Sequence, residues 1–323
     1  MTVRNVGIQA SGDTLTHNVP SIAQSAAGRA AVSACSSIRS LPSFFIIGPP
    51  RTGTTWLHEV LAGPTILPNP TKETRFFDKH YDRGVKWYLS HFPPTAPDEI
   101  VGEVAPTYFA SAEARQRIAN LIPQAKIVCI FRNPVERVVS LYRLKRAYAM
   151  LPWSFEQALV RDPELMQSSN YVANFTAWQA AFGPGQVLAT VYDDMKNERQ
   201  GYVDDLADFI GIPRFRIPDA LARRVNDIAS MTEPRSYYRT RGATMIADWC
   251  KARRLDGFVA AVKKSRLRRF FLGGGNEFPE LPRDVMTRLS EIFRPEVEAL
   301  ETMLNRDLSA WKTPVTRESA LAA

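Results

Sequence analysis

This 323-residue chain predicts an α/β fold, a central parallel sheet flanked by helices with a largely helical C-terminal part. Three observations predict it. An apolar run, Phe44 to Ile47, leads directly into Gly48-Pro49-Pro50-Arg51-Thr52-Gly53-Thr54-Thr55 and then into the helical stretch Trp56-Leu57-His58-Glu59-Val60-Leu61. A second run, Lys126 to Phe131 (K-I-V-C-I-F), is apolar and β-branched throughout and passes at once into a helix. Uninterrupted apolar runs of this kind belong to strands buried on both faces, as in a parallel sheet. Strand and helix patterns alternate through most of the chain, which implies helices on both faces of that sheet. The spacing G-x-x-x-x-G between a strand and a helix makes the sheet of the P-loop type, in which backbone N–H groups and a helix N-terminus surround a phosphate.

The elements follow in order. Residues 1–40 are rich in Ser, Ala, Asn and Thr, with Arg4 and Arg29 far apart and no apolar h-region, so they read as a flexible leader rather than a secretion signal. Ser43 to Ile47 is a short strand, and Thr54 to Leu61 opens a helix with two hydroxyl residues in its first turn. Pro64, Pro68 and Pro70 force a loop; Glu73 to Phe77 is expected as a short extended piece, and Asp82 to Phe92 resumes a helical pattern. Glu113 to Leu121 reads as a helix and Lys126 to Phe131 as a buried strand. Asn133 then suits a cap, Pro134 the first helical position, and Glu136 completes a capping box. Phe155 to Leu159, Tyr171 to Phe182, the strand Val187 to Tyr192 and the helix Tyr202 to Ile210 continue the alternation, and the C-terminal third is helical apart from Gly273-Gly274-Gly275-Asn276. A single domain over 41–315, with a flexible tail at 316–323, accommodates this series.

Composition narrows the function. Hydrophobic residues make up 45% of the chain, yet no apolar run approaches the ~20 residues of a membrane-spanning helix. The net charge of +8 favours an anionic ligand or partner. The basic clusters Lys251 to Arg254 and Lys263 to Arg269 read as solvated helix faces, and no interleaved aromatics support binding to nucleic acid. Cys35, Cys129 and Cys250 are odd in number and widely spaced, which suggests reduced structural thiols and a cytoplasmic location.

The loop carries Thr54 where an ATP-splitting loop carries Lys. That lysine ordinarily reaches the β- and γ-phosphates, so its absence points to a ligand with a single phosphate at its 5′ end. After Phe131, Arg132 projects from the carboxyl end of a strand and Ser140 lies about two turns into the next helix. Alone, the pair reads equally well as a surface arginine and a helix serine; beside a lysine-free phosphate loop, a guanidinium and a hydroxyl suit a second phosphate.

Together, P-R-T-G-T-T (50–55) and R-N-P-x-E-R-x-x-S (132–140) resemble the 5′-phosphosulfate loop and the 3′-phosphate site of the sulfotransferases that use 3′-phosphoadenosine 5′-phosphosulfate (PAPS). The match is closest to the branch containing the heparan sulfate glucosamine N- and 3-O-sulfotransferases and their bacterial relatives. Thr71 to Asp78 (T-K-E-T-R-F-F-D) resembles that branch's acceptor-site segment, Gly102 to Phe109 the strand after it, and Phe278 to Val285 the region behind a donor-covering loop. The resemblance spans about residues 44–311. It implies in-line transfer of a sulfuryl group from PAPS to a hydroxyl or amine of a small-molecule, lipid or carbohydrate acceptor, leaving adenosine 3′,5′-bisphosphate (PAP) and needing no metal. Glu73 falls on the family's general base and Arg51 on a position that often holds a catalytic lysine. Arg51, Thr52, Gly53, Thr54, Thr55, Arg132, Ser140, Gly274, Gly275 and Asn276 fall on the donor site, Arg75 and Asp78 on the acceptor site.

The chain departs from the family in three places. Arg75 replaces a common histidine, Val104 a common lysine, and Gly274-Gly275-Asn276 stand where relatives have a lysine-glycine-arginine run. His58 and His80 have no motif support. Two other readings stand beside the transferase: a small-molecule kinase with a degenerate phosphate loop, and a nucleotide-binding protein that has lost activity.

Overall fold

The computed structural model describes residues 40–96, 98–222, 232–253 and 274–313. The chain divides into Met1–Ile38 and a compact unit, Arg39–Ala323, to which the rest of this description belongs. The expected leader up to residue 39, the expected tail at 316–323, Cys35, Gly273 and the basic cluster Lys263 to Arg269 lie outside the described residues.

Four parallel strands form the central sheet: β1 (Phe44–Gly48), β2 (Gly102–Val104), β3 (Lys126–Phe131) and β4 (Val187–Val191), in the order β2-β1-β3-β4. Alternation along the strands sends side chains to two cores. Phe45 and Ile47 of β1 and Ile127, Cys129 and Phe131 of β3 enter one core, while Phe44, Ile46, Val128 and Ile130 enter the other. Both faces are therefore covered, which is why β1 and β3 carry uninterrupted apolar residues. The first core is covered by α4 (Ala112–Leu121), α8 (Tyr171–Phe182) and part of α13 (Arg283–Leu304). The second is covered by α1 (Thr54–Leu61), α9 (Tyr192–Asn197) and α10 (Arg199–Ile210). A third cluster joins α5 (Pro134–Ala147), α6 (Phe155–Arg161) and α7 (Pro163–Gln167) to the N-terminal half of α13.

The expected α/β sheet is present, and several local expectations are corrected. Glu73 to Phe77 is not an extended piece: Arg75 is left-handed (φ 55°) and α2 (Phe76–Lys79) begins directly after it. Asp82 to Phe92 is not one helix, because a 3₁₀ turn (Tyr81–Arg83) ends at Gly84 (φ 77°), where the short α3 (Gly84–Leu89) begins. The glycine-rich stretch of the C-terminal third is β6 (Gly274–Glu277), paired antiparallel with β5 (Thr232–Pro234). Two further helices, α11 (Asp219–Ala222) and α12 (Tyr237–Ala252), flank β5 in sequence. Cys129 and Cys250 are free and buried.

Close packing of β2 on β1 requires Gly102. A Cβ there would sit 2.0 Å from Cζ of Phe44, whose ring is fully buried. Gly102→Ala is therefore expected to cost about 1–3 kcal/mol through overpacking, read as a lower urea midpoint. A midpoint equal to that of the wild type would contradict this packing.

Candidate active site

Sheet order places a crevice before any side chain is considered. β1 lies between β2 and β3, so the connections leaving β1 and β2 run to opposite sides and open a switch point at the strands' carboxyl ends. The loop 48–53 leaves β1 there, and Arg132 and Asn133 leave β3 there.

The loop is shaped by Gly53, at φ 85°, where an added Cβ would fall 1.9 Å from Cε of Met195. Thr52 donates its hydroxyl to the Pro49 carbonyl at 2.7 Å, tightening the turn. No side chain caps α1, whose first turn begins with Thr54, buried, and Thr55, exposed. Its first N–H groups are thus left for an anion at the positive end of the helix dipole. Arg51 is itself left-handed (φ 78°), a strained conformation for a residue with a Cβ, of the kind that concentrates at ligand sites.

Arg51, Arg132 and Ser140 converge. Arg51 Nε donates to Ser140 Oγ at 2.7 Å, and Arg132 donates to the Arg51 carbonyl at 3.2 Å. Arg132 also pairs with Glu136 at 2.9 Å, lies over the Tyr192 ring at 4.6 Å, and has its own carbonyl held by the Tyr171 hydroxyl at 2.8 Å. Asn133 caps α5 by accepting from the N–H groups of Val135 and Glu136. The expected capping box is not completed, because the Glu136 carboxylate turns to Arg132 instead. Among the described residues no carboxylate pairs with Arg51; burial, then the nearby Arg132, lower its pKa to about 10. Two neighbouring guanidiniums with one counter-charge between them form a site that a bound anion stabilises.

Glu73 lies across the crevice on the loop before α2. Its carboxylate is about a quarter exposed and 3.3 Å from Lys72 Nζ, which also donates to Thr55 Oγ1 at 3.3 Å. The next residue anchors the loop. Thr74 donates both its N–H (2.9 Å) and its hydroxyl (2.7 Å) to Oε1 of Glu103, which also accepts from the Tyr108 hydroxyl at 3.3 Å, while the Tyr88 hydroxyl donates to Oε2 at 2.8 Å. Glu103 is fully buried on β2, and desolvation pushes its pKa up to about 7 against the opposing effect of those hydrogen bonds. Arg75 and Asp78 pair with each other at 2.6 Å, leaving Asp78 Oδ1 buried without a partner.

Gly274, Gly275 and Asn276 lie on β6. Gly275 is close to β5, where an added Cβ would meet the Glu233 carbonyl at 2.4 Å, and Glu233 pairs with Arg146 of α5 at 3.0 Å. The ribbon is thereby fastened to the helix that carries Ser140, about 9 Å further along by helix rise. His58 has Nε2 buried without a hydrogen bond, and burial, then Lys72, lower its pKa to about 4; His80 stacks edgewise on Trp87. Tyr88, Tyr108 and Tyr171 are fully buried and act through their hydroxyls. Sequence reasoning assigned no role to Glu103, Lys72 or Tyr192. An acidic residue between apolar neighbours in Val101-Gly102-Glu103-Val104 is the one signal that marked Glu103.

These features define an α/β protein with a candidate phosphate loop and a candidate second anion site at its switch point. The chain belongs to the sulfotransferase domain family, whose model matches residues 41–240. It is 27% identical to the human bifunctional heparan sulfate N-deacetylase/N-sulfotransferase 3 over 84% of this chain and 31% of that protein. It is also 27% identical to the Caenorhabditis elegans N-deacetylase/N-sulfotransferase 1, over 83% and 30%. The chain thus spans about a third of the length of these relatives. A sulfotransferase crystal structure from Alicyclobacillus acidocaldarius superposes with a TM-score of 0.61 at 22% identity, covering 85% of this chain and 100% of that one, and shares the fold.

The raised Glu103 pKa has a consequence for stability. A carboxyl near 4.5 when unfolded and about 7 when folded stabilises the fold fully below pH 4.5, and that contribution is lost as pH rises through 7. Relative to Glu103→Gln, the wild type is expected to lose up to about 3 kcal/mol between pH 4.5 and 7.5, measured by urea unfolding across that range. A pH-independent difference would show that Glu103 ionises as freely in the folded chain as in the unfolded one.

Proposed function

We propose that this chain transfers a sulfuryl group from PAPS to a hydroxyl or amine of a carbohydrate, lipid or small-molecule acceptor. The observation that carries the reading is the convergence of Arg51, Arg132 and Ser140 beside an uncapped, lysine-free phosphate loop. One anion fits the N–H groups of Thr52 to Thr55 and a second fits the two guanidiniums and the Ser140 hydroxyl, which matches a nucleotide phosphorylated at both 5′ and 3′ positions. Family membership favours this reading over the kinase. Relatives named for heparan sulfate N-sulfation support including a sugar amine among the acceptors.

The donor supplies an activated sulfuryl group, and the protein supplies position and charge. The α1 N-terminus and the loop hold the 5′ end, while Arg132 and Ser140 fix the 3′ end and hence the register of the nucleotide. Arg51 lies between these sites, its backbone in the loop and its guanidinium on Ser140. Glu73 accepts the acceptor's proton as the new bond to sulfur forms. Arg75 and Asp78, which pair with each other just beyond Glu73, orient the acceptor.

Calorimetric titration tests the donor. PAP is expected to bind at least tenfold more tightly than ATP with Mg²⁺, and preferential binding of ATP would overturn the sulfotransferase reading. Arg132→Ala is expected to weaken PAP by about 10- to 100-fold while leaving adenosine 5′-monophosphate nearly unchanged, since a charge-assisted contact is worth roughly 1.5–3 kcal/mol. For the base, Glu73→Gln is expected to abolish transfer of labelled sulfate in a screen of acceptor classes with PAP affinity retained. Undiminished transfer would remove Glu73 from that role.

A further inference from the structure

We propose that Lys72 supplies the cation that meets the bridge between the donor's 5′ phosphate and its sulfuryl group. The assignment rests on the donor reading above and on three features of the site. First, the phosphate loop contains no lysine, and its one basic side chain, Arg51, donates Nε to Ser140 on the side of the 3′-phosphate site. Second, Lys72 Nζ lies 3.3 Å from the hydroxyl of Thr55, in the uncapped first turn of α1 where the 5′ phosphate is held. Third, the same nitrogen lies 3.3 Å from Oε1 of Glu73, so one ammonium touches both the phosphate end of the crevice and the base.

An in-line reaction needs this juxtaposition. The acceptor oxygen or nitrogen forms a bond to sulfur while the bond from sulfur to the bridging oxygen breaks. The acceptor's proton passes to the Glu73 carboxylate, and the bridging oxygen keeps its electron pair as part of the 5′ phosphate of PAP. Negative charge therefore grows on the bridging oxygen as Glu73 loses its own. An ammonium shared between the two can turn its N–H groups from the carboxylate toward the leaving oxygen as that charge moves. Burial holds Lys72 below its ordinary pKa, Arg51 adds to the effect and Glu73 opposes it, which is the environment of a partly desolvated cation. Side chains of Lys72 and Glu73 remain 25% and 27% exposed, so neither is sealed in the interior.

Titration of PAP against adenosine 3′-monophosphate separates this role from a structural one. Lys72→Met is expected to weaken PAP about 10- to 100-fold and to change adenosine 3′-monophosphate less than twofold, which also controls for correct folding. Lys72→Arg, which keeps the charge, is expected to recover part of the loss. Release of PAP from PAPS, with water as acceptor, is expected to fall about 100-fold in Lys72→Met, the size of a lost transition-state donor. Unchanged PAP affinity in Lys72→Met, or an equal loss for both nucleotides, would overturn the assignment. Failure of the wild type to bind PAP at all would instead sink the donor reading on which it rests.

Discussion

A single buried carboxyl group governs the loop that precedes α2. Glu103 takes four hydrogen bonds, two from Thr74 and one each from Tyr88 and Tyr108, and so ties the loop bearing Lys72, Glu73 and Arg75 to strand β2. Burying a carboxyl without such partners would cost several kcal/mol, so the network must form as a unit or not at all. Once it forms, Thr74 has no freedom, and the residues on either side of it inherit its position. Glu73 is thereby presented toward the crevice at the carboxyl end of β1 without lying on a regular element itself.

The phosphate loop and the end of β3 are organised by the opposite sign of charge. Arg51 and Arg132 approach one another with, among the described residues, Glu136 as their one carboxylate partner, and Arg51 has a left-handed backbone. Both costs are of the kind a protein tolerates where a ligand repays them. Tyr171 and Tyr192 contribute from behind, one through a hydrogen bond to the Arg132 carbonyl and the other through its ring face. The guanidinium at the strand end is accordingly fixed by contacts from α5, α9 and the loop, while α8 holds the Arg132 backbone.

The sheet, the loop and the helix after β3 were legible in the sequence because each is local. Phe44 to Ile47 and Lys126 to Phe131 announce two-sided burial by composition alone, and Asn133-Pro134 announces a helix start by cap chemistry. The site's electrostatics were less legible because the partners are distant. Glu136 has the spacing of a capping box, yet an arginine one residue ahead of the cap competes for it and wins, since an ionic partner outweighs a backbone N–H. The turn at Arg75 was hidden because its left-handed φ is imposed by the Glu103 network across 29 residues from Thr74 and not by its own identity. The pairing of β5 with β6 joins residues some 40 apart, beyond the reach of any periodicity.

Dividing the cations between guanidinium and ammonium follows from what each anion asks of its partner. A 3′ phosphate keeps its charge throughout the reaction, so a rigid fork anchored to Glu136, Tyr192 and the Arg51 carbonyl suits it. The bridging oxygen gains charge only during transfer, and a group that serves it must be able to shift. Lys72, on a flexible stem and already shared between Thr55 and Glu73, can do so where a guanidinium bound to Ser140 cannot. A phosphate loop without lysine is therefore compatible with the family's chemistry, provided that the ammonium arrives from the acceptor-side loop. On the proposed reaction the Glu103 network serves both halves, since anchoring Thr74 holds Glu73 and Lys72 on one loop.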